Sequence, residues 1–405
     1  MRIRAFMALR PEAELAPAVA SVPYDVVNTD EARRLAAGNP HCFLHISRAE
    51  IDLPAGTDPH SDAVYGQAAA AFARFQKAGV LVRDTRPALF VYRQQMGNHA
   101  QSGVVACCHI EDYEQNLIRQ HEKTLLAKEN DRARHIRELN AQAGPVFLVY
   151  RDNAAIDRIV ADLEKTRPAF DFVAPDGVRH SAWQIQNCHE METAFAGVTR
   201  SYIADGHHRF AAAVKVGRER RDANPSHSGN EEYNWVLGVF FPASQLSILP
   251  YNRVVRDLNN MRPDEFVARV QRVFSIREVT TGIPDGPDTV NMYMARKWYD
   301  LKWKPEERTD GPGILDVSIL QDRLLAPVLG IDDPRTSKRI EFIGGTNAVR
   351  ALVERVDSGG GAVAFSLRPV AIGDVMAYSD AGLVMPPKST WFEPKLRSGL
   401  FIHTL

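Results

Sequence analysis

Apolar residues recur at helical spacing between positions 63 and 77, where Val64, Ala68, Phe72 and Phe75 share one side and Gly79 follows. This spacing predicts an amphipathic helix with a glycine stop. The same period over 131–143 puts Ala133, Ile136, Leu139 and Ala143 on one face and Arg132, Arg134 and Arg137 on the other, with Gly144-Pro145 as the end. Shorter helices are predicted over 32–37, behind the cap candidates Asn28-Thr29-Asp30-Glu31, and over 156–165, 263–273 and 318–329. Residues 88–96 and 102–110 flank Gly97-Asn98 and read as a β-hairpin. Apolar runs over 146–150 and 235–241 read as buried strands, and 41–46, 169–174, 178–185, 276–279 and 290–303 are further strand candidates. The polar stretch 218–232, with Asn224-Pro225-Ser226-His227-Ser228-Gly229, reads as a mobile loop. Ser358-Gly359-Gly360-Gly361, expected between strands, lacks the following helix and Lys-Ser/Thr end of a phosphate loop and reads as a flexible turn.

At 405 residues the chain exceeds one ordinary core, so two or three domains are expected, with a boundary near 250–263. Lys plus Arg (49) balance Asp plus Glu (50), which leaves no overall positive field to recruit nucleic acid. The four cysteines, Cys42, Cys107, Cys108 and Cys188, show no CxxC spacing and read as reduced thiols. The apolar run at 3–9 is interrupted by Arg4 and too short for a signal peptide, and no segment has the length of a membrane span. A cytoplasmic protein without a membrane partner is expected.

Candidate chemistry concentrates at Asp205-Gly206-His207-His208-Arg209. The motif follows the apolar Tyr202-Ile203-Ala204 and precedes Phe210-Ala211-Ala212-Ala213-Val214-Lys215-Val216, with Gly217 as the expected helix stop: strand, tight turn, helix. Such a turn aims backbone N–H groups at whatever sits above the new helix, and Gly206 permits close approach. Arg209 adds a planar donor fork suited to phosphate, and Asp205 is a candidate ligand for a divalent cation that phosphate would accompany. The competing structural reading makes Asp205 an N-cap with a solvated His-His-Arg face. Zinc on His207 and His208 is disfavoured, because adjacent histidines rarely converge on one ion and no further ligands follow at suitable spacing.

Two other clusters accompany this one: His121-Glu122-Lys123-Thr124, and Met385-Pro386-Pro387-Lys388-Ser389-Thr390-Trp391-Phe392-Glu393-Pro394-Lys395. With Pro23-Tyr24-Asp25-Val26-Val27, Lys128, Asp131-Arg132, Gly144-Pro145-Val146-Phe147 and Ser398-Gly399-Leu400-Phe401, they resemble the SerK-like family. That family was first catalogued as one of unknown function and is related to free-serine kinases of the ParB/sulfiredoxin superfamily. The resemblance runs essentially end to end.

The resemblance implies an α+β protein with a ParB/sulfiredoxin-like nucleotide core at 105–250, an N-terminal α/β region at 1–104 and a C-terminal α+β domain at 251–405 that closes the site. It implies ATP or ADP phosphate over Gly206, His207, His208 and Arg209, Mg2+ at Asp205, and catalytic roles for Glu122, Asp205 and His207. Glu122 would act on the substrate hydroxyl, and Lys388, Ser389 and Thr390 would hold an amino acid, serine being the expected acceptor. Trp391-Phe392 stands where the related kinases carry Arg-His, so the carboxylate needs another cation, with Lys388 and Lys395 as candidates. Tyr251-Asn252-Arg253 replaces a usual Thr-His-Arg and keeps only the arginine. The alternative function is a nucleotide-binding regulatory switch without small-molecule kinase activity; a nuclease ranks third.

Overall fold

The structure is a computed structural model that describes residues 1–303 and 315–405. The chain forms two compact units: Met1–Gln120 with Thr124–Leu246 and Pro394–Leu405, and His121–Lys123 with Ser247–Glu393. Both combine helices with largely antiparallel sheet, an α+β construction.

The first unit is built on a nine-stranded mixed sheet. Its strands run in the order Ile118–Arg119, Ser201–Asp205, Val146–Tyr150, Trp235–Pro242, His99–His109, Leu89–Met96, Arg179–Ile185 and Phe170–Val173, with Ile3–Arg4 also pairing to His99–His109. Leu89–Met96 and His99–His109 form the predicted hairpin, with Met96 opposite His99. Residues from both sides of position 104 therefore share one sheet. Val146–Tyr150 is buried at every position, as its unbroken apolar sequence requires of a strand covered on both faces. One core packs this sheet against Ala133 and Ile136, Phe210 and Val214, and Met191 and Phe195. A second gathers Phe43, Ile46, Val64, Phe72 and Phe75 with Leu139 and Ile402.

Several local expectations change. The helix predicted over 63–77 is found as Asp62–Lys77. The one predicted over 131–143 instead spans Leu126–Leu139 and stops at Asn140, which takes the left-handed conformation that asparagine tolerates. Residues 41–46 are not a strand, because Leu44–Ser47 is helical and Phe43, Leu44 and Ile46 are all buried without alternation. Gly217 does not stop its helix, which runs His207–Ala223. A Cβ at Gly217 would lie 2.5 Å from the Tyr233 carbonyl oxygen, so this glycine serves close packing. The start of the expected mobile loop is thus helical, and Asn224 before Pro225 ends it.

The second unit contains a six-stranded antiparallel sheet ordered Ser275–Val279, Lys297–Lys302, Thr289–Met294, Val363–Ser366, Asn252–Val255 and Ile340–Ile343. A separate pair, Ser247–Leu249 with Trp391–Glu393, lies outside this sheet. The expected strand over 290–303 is a hairpin, turned at Ala295 and Arg296 with φ of 50° and 62°. Ser358 to Gly361 follows the helix Ala348–Asp357 as its C-terminal end, rather than joining two strands. The helix expected over 318–329 is shorter, Asp316–Leu320, and widens into a π-helical turn at Gln321–Leu325.

Candidate functional site

In the first unit the strand Ser201–Asp205 feeds the helix His207–Ala223 through Gly206 alone. Register slips between Ile203, opposite Leu148, and Asp205, opposite Phe147, so the strand is irregular where the turn begins. Asp205 is therefore the last strand residue and not the N-cap. That position belongs to Gly206, whose φ of +91° strains any side-chain-bearing residue. Gly206 contributes no capping side chain, so the first turn of a 17-residue helix presents its N-terminal backbone end. A Cβ there would also meet the Arg209 guanidinium at 3.0 Å.

Arg209 folds back along this turn. Its Nη2 donates to Asp205 Oδ2 at 3.0 Å and its Nη1 donates to the Pro145 carbonyl. Burial opposes the guanidinium charge, but Asp25, Asp205 and Tyr24 hold its pKa above the ordinary arginine value. Part of the fork thus braces the turn, while Nε is buried without a hydrogen-bond partner among the described residues. Arg209 lines a cavity of about 50 Å³ with Tyr24, Arg132, His135, Gln142 and Ser398 among others. Lys395 brings a second cation to Asp205, with Nζ 3.5 Å from Oδ1. Its own carbonyl accepts from Gln94 Nε2 at 2.8 Å. His208 Nε2 accepts the Leu125 N–H at 3.0 Å, which requires that ring nitrogen to be unprotonated. His207, at the first helical position, is buried.

Asp131-Arg132 serves this unit as a structural hub. Asp131 accepts from the Tyr65 hydroxyl at 2.5 Å and from Arg132 Nε at 2.7 Å. Burial would raise its carboxyl pKa, yet Arg132 and the Tyr65 hydrogen bond hold it below the ordinary value. The Arg132 guanidinium lies 4.0 Å from the Tyr24 ring centroid.

In the second unit, the segment carrying Glu122 is fastened to the 385–390 segment. The Met385 N–H donates to the His121 carbonyl at 2.8 Å, and His121 Nε2 is 3.1 Å from Thr390 Oγ1. His121 is buried, whereas Glu122 is half-buried at a cleft of about 470 Å³ shared with Lys123, Asp333, Arg335 and Pro387. Ser389 is buried with its hydroxyl donating to the Pro386 carbonyl at 2.5 Å. Lys388 takes a left-handed φ of 59° and sets Nζ 5.5 Å from the Tyr251 ring centroid. A non-glycine residue in that region marks a segment held by its surroundings.

Trp391 and Phe392 are packing residues. Phe392 is 1% exposed in the short strand Trp391–Glu393. Trp391 donates Nε1–H to Glu393 at 2.6 Å and stands edge-on to Tyr251 with centroids 5.0 Å apart. Among the described residues of this unit the buried cation is Arg253, 3% exposed, with Nη1 on the Tyr251 carbonyl and Nη2 on the Pro387 carbonyl at 3.2 Å. Burial pulls its pKa down to about 9, against the raising influence of Tyr251 and Glu122.

The predicted residues thus fall into two groups. Asp205, Gly206, His207, His208 and Arg209 lie in the first unit, together with Lys395. Glu122, Lys388, Ser389 and Thr390 lie in the second. Asp25 joins the first group through its influence on Arg209; it stands within the Pro23 to Val27 stretch of the resemblance, but no spacing ties it to Arg209. Among the described residues no group of three or more His, Cys, Asp or Glu side chains is placed to hold a metal ion, and no helix is long and apolar enough to cross a membrane.

Over residues 3–321 the chain matches the family described as protein of unknown function DUF1015, and it belongs to that family. No curated protein matches it. Among solved structures it is similar to a conserved hypothetical protein from Pyrococcus furiosus, at 12% identity and a TM-score of 0.39 over 74% of this chain and 94% of that one. It is similar to SbnI with a C-terminal truncation from Staphylococcus aureus, at 10% identity and 0.41 over 74% and 87%. A free serine kinase in complex with AMP matches at 14% identity and 0.39 over 74% and 91%.

Proposed function

We propose that this protein is a nucleotide-dependent small-molecule kinase that converts free L-serine to O-phospho-L-serine. The observation that carries this reading is the turn at Gly206, where an uncapped helix N-terminus meets a carboxylate flanked by Arg209 and Lys395. Phosphoryl transfer is catalysed chiefly by positioning and charge neutralisation, and these are groups of that kind.

In this reading ATP or ADP lays its phosphates over the first turn of the His207–Ala223 helix, with Arg209 and Lys395 offsetting their charge. The Asp205 side chain is 28% exposed, which leaves it accessible to a cation. Mg2+ commonly takes one or two carboxylates and completes its shell with phosphate oxygens and water, so a single aspartate fits. Bound there, the ion would neutralise charge on the transferred group. Glu122 takes the proton from the serine hydroxyl, whose oxygen forms a bond to the terminal phosphorus as the bridging P–O bond breaks. The nucleoside diphosphate or monophosphate leaves with the bridging oxygen. Lys388, Ser389 and Thr390 border the acceptor, and the anchoring of His121 by Thr390 and Met385 supports the placement of Glu122. The ParB/sulfiredoxin-like core at 105–250 belongs to the same proposal.

The test is incubation of the protein with serine, Mg2+ and either ATP or ADP, followed by mass spectrometry. Phosphoserine with stoichiometric release of the shortened nucleotide is expected. Nucleotide binding without any phosphorylated product from a panel of hydroxyl amino acids would replace the kinase with the regulatory switch.

A further inference from the structure

Arg253 is a buried cation that, among the described residues, makes hydrogen bonds only to two carbonyl oxygens and forms no ion pair. Charges taken out of water are costly unless an opposite charge compensates them. Arg253 lines a cavity of about 250 Å³ in the second unit, together with Tyr251, Asp316, Arg368, Asp374 and Ser389. Asp374 lies in the first turn of the helix Ile372–Asp380, whose N-cap Ala371 supplies no capping side chain and also borders the cavity.

Among the described residues the charges on this lining are two arginines and two aspartates. A simple anion would suit Arg253 but meet two carboxylates, and a simple amine would suit the carboxylates but leave Arg253 without an ion-pair partner. A zwitterion satisfies both sets. The cavity volume lies just below the roughly 300–1,000 Å³ typical of pockets for drug-sized ligands, which suits a molecule of few heavy atoms.

We propose that this cavity binds a free α-amino acid, with Arg253 as counterion to its carboxylate and Asp316 and Asp374 as acceptors for its ammonium group. Arg253 then supplies the cation that Trp391 and Phe392 do not. The pocket rests on the kinase reading only in that the bound amino acid would be the phosphoryl acceptor.

The test is calorimetric titration of the full chain with L-serine, with ethanolamine, which lacks the carboxylate, and with 3-hydroxypropionate, which lacks the amine. Losing the partner of a buried charge weakens binding by about 30-fold or more, so ethanolamine, which leaves buried Arg253 unpaired, should bind at least that much more weakly than serine, and 3-hydroxypropionate, which loses only the more exposed Asp316 and Asp374, should bind more weakly by a smaller factor. Arg253→Met should abolish the preference for serine over ethanolamine. Because that variant removes a buried side chain, Asp374→Asn at an exposed position provides a second reading: it should weaken serine binding and leave 3-hydroxypropionate unchanged. Ethanolamine binding as tightly as serine, or unchanged serine binding by folded Arg253→Met or by Asp374→Asn, would overturn the pocket. So would failure of every free amino acid to bind. Arg253-dependent serine binding without phosphoserine would keep the pocket and reject the kinase. Phosphorylation of ethanolamine with the KM of serine would keep the kinase and reject the pocket.

Discussion

Lys395 Nζ stands 3.5 Å from Asp205 Oδ1, although nearly half the chain separates the two residues. Arg209 donates to the other carboxylate oxygen, so Asp205 is held between two cations. A lone surface aspartate capping its own helix needs neither. Hydrogen bonds to charged groups are worth about 1.5–3 kcal/mol, and Lys395 is largely buried. Lys395→Met should therefore weaken nucleotide binding by about 10–100-fold in a fluorescence titration, with Lys395→Arg retaining most of it. Equal affinity of Lys395→Met and the parent would remove Lys395 from the phosphate group.

Gly206→Ala tests the backbone of the same turn. A left-handed residue with a Cβ costs about 1–2 kcal/mol, and the added carbon also crowds the Arg209 guanidinium. The expected result is a lowered thermal midpoint together with weakened nucleotide binding. A variant that loses neither would show that the turn tolerates a side chain.

Glu122→Gln separates chemistry from binding. A positioned general base contributes about 10²–10⁴-fold, so the barrier should rise by roughly 3–5 kcal/mol if chemistry limits turnover. Nucleotide affinity should stay at the parent value. Near-parental kcat on the acceptor that the parent phosphorylates would strip Glu122 of its role.

His135 gives the first unit a calculable acid sensitivity. It is buried with Nε2 3.1 Å from the Ile46 carbonyl, and burial, aided by Arg132, pulls its pKa down to about 4. The unfolded value is about 6.5, so between these limits the unfolded chain binds more protons and stability falls as pH falls. The stabilisation is complete above pH 6.5 and is lost progressively down to about pH 4. From this group alone, about 2 kcal/mol should disappear between pH 7 and pH 5. Urea melts of the parent and His135→Gln at the two pH values measure it, and an equal pH dependence in both would refute the assignment.

Long periodic elements were legible from the sequence, and the special conformations were not. Val64, Ala68, Phe72 and Phe75 announce their helix because one face is apolar and the other solvated. Ala295 and Arg296 do not announce a turn, since residues that accept positive φ there are usually glycine or asparagine. Gly217 looks like a stop until the Tyr233 carbonyl beside it is known. At the candidate site, the strand-turn-helix around Gly206 could be read locally, whereas the pairing of Lys395 with Asp205 depends on a distant segment. The burial of Arg253 without an ion pair among the described residues was likewise hidden, because both are properties of packing. Asp316, Arg368 and Asp374 carry no shared motif, and only the fold gathers them around one cavity.

Residues 394–405 belong to the first unit although the whole of 247–393 intervenes. Leu9 exchanges backbone hydrogen bonds with Ile402, Ser21 does so with Ser398, and His403 pairs with Gln142. During synthesis all nine strands of the first unit's sheet, which lie between Ile3 and Pro242, emerge before the second unit, but Leu9, Ser21 and Gln142 gain these partners only once residues 394–405 have been made. Release of a chain shortened before residue 394 would leave Phe43 and the apolar face of the Asp62–Lys77 helix without Ile402 and its neighbours, an exposed surface prone to aggregation.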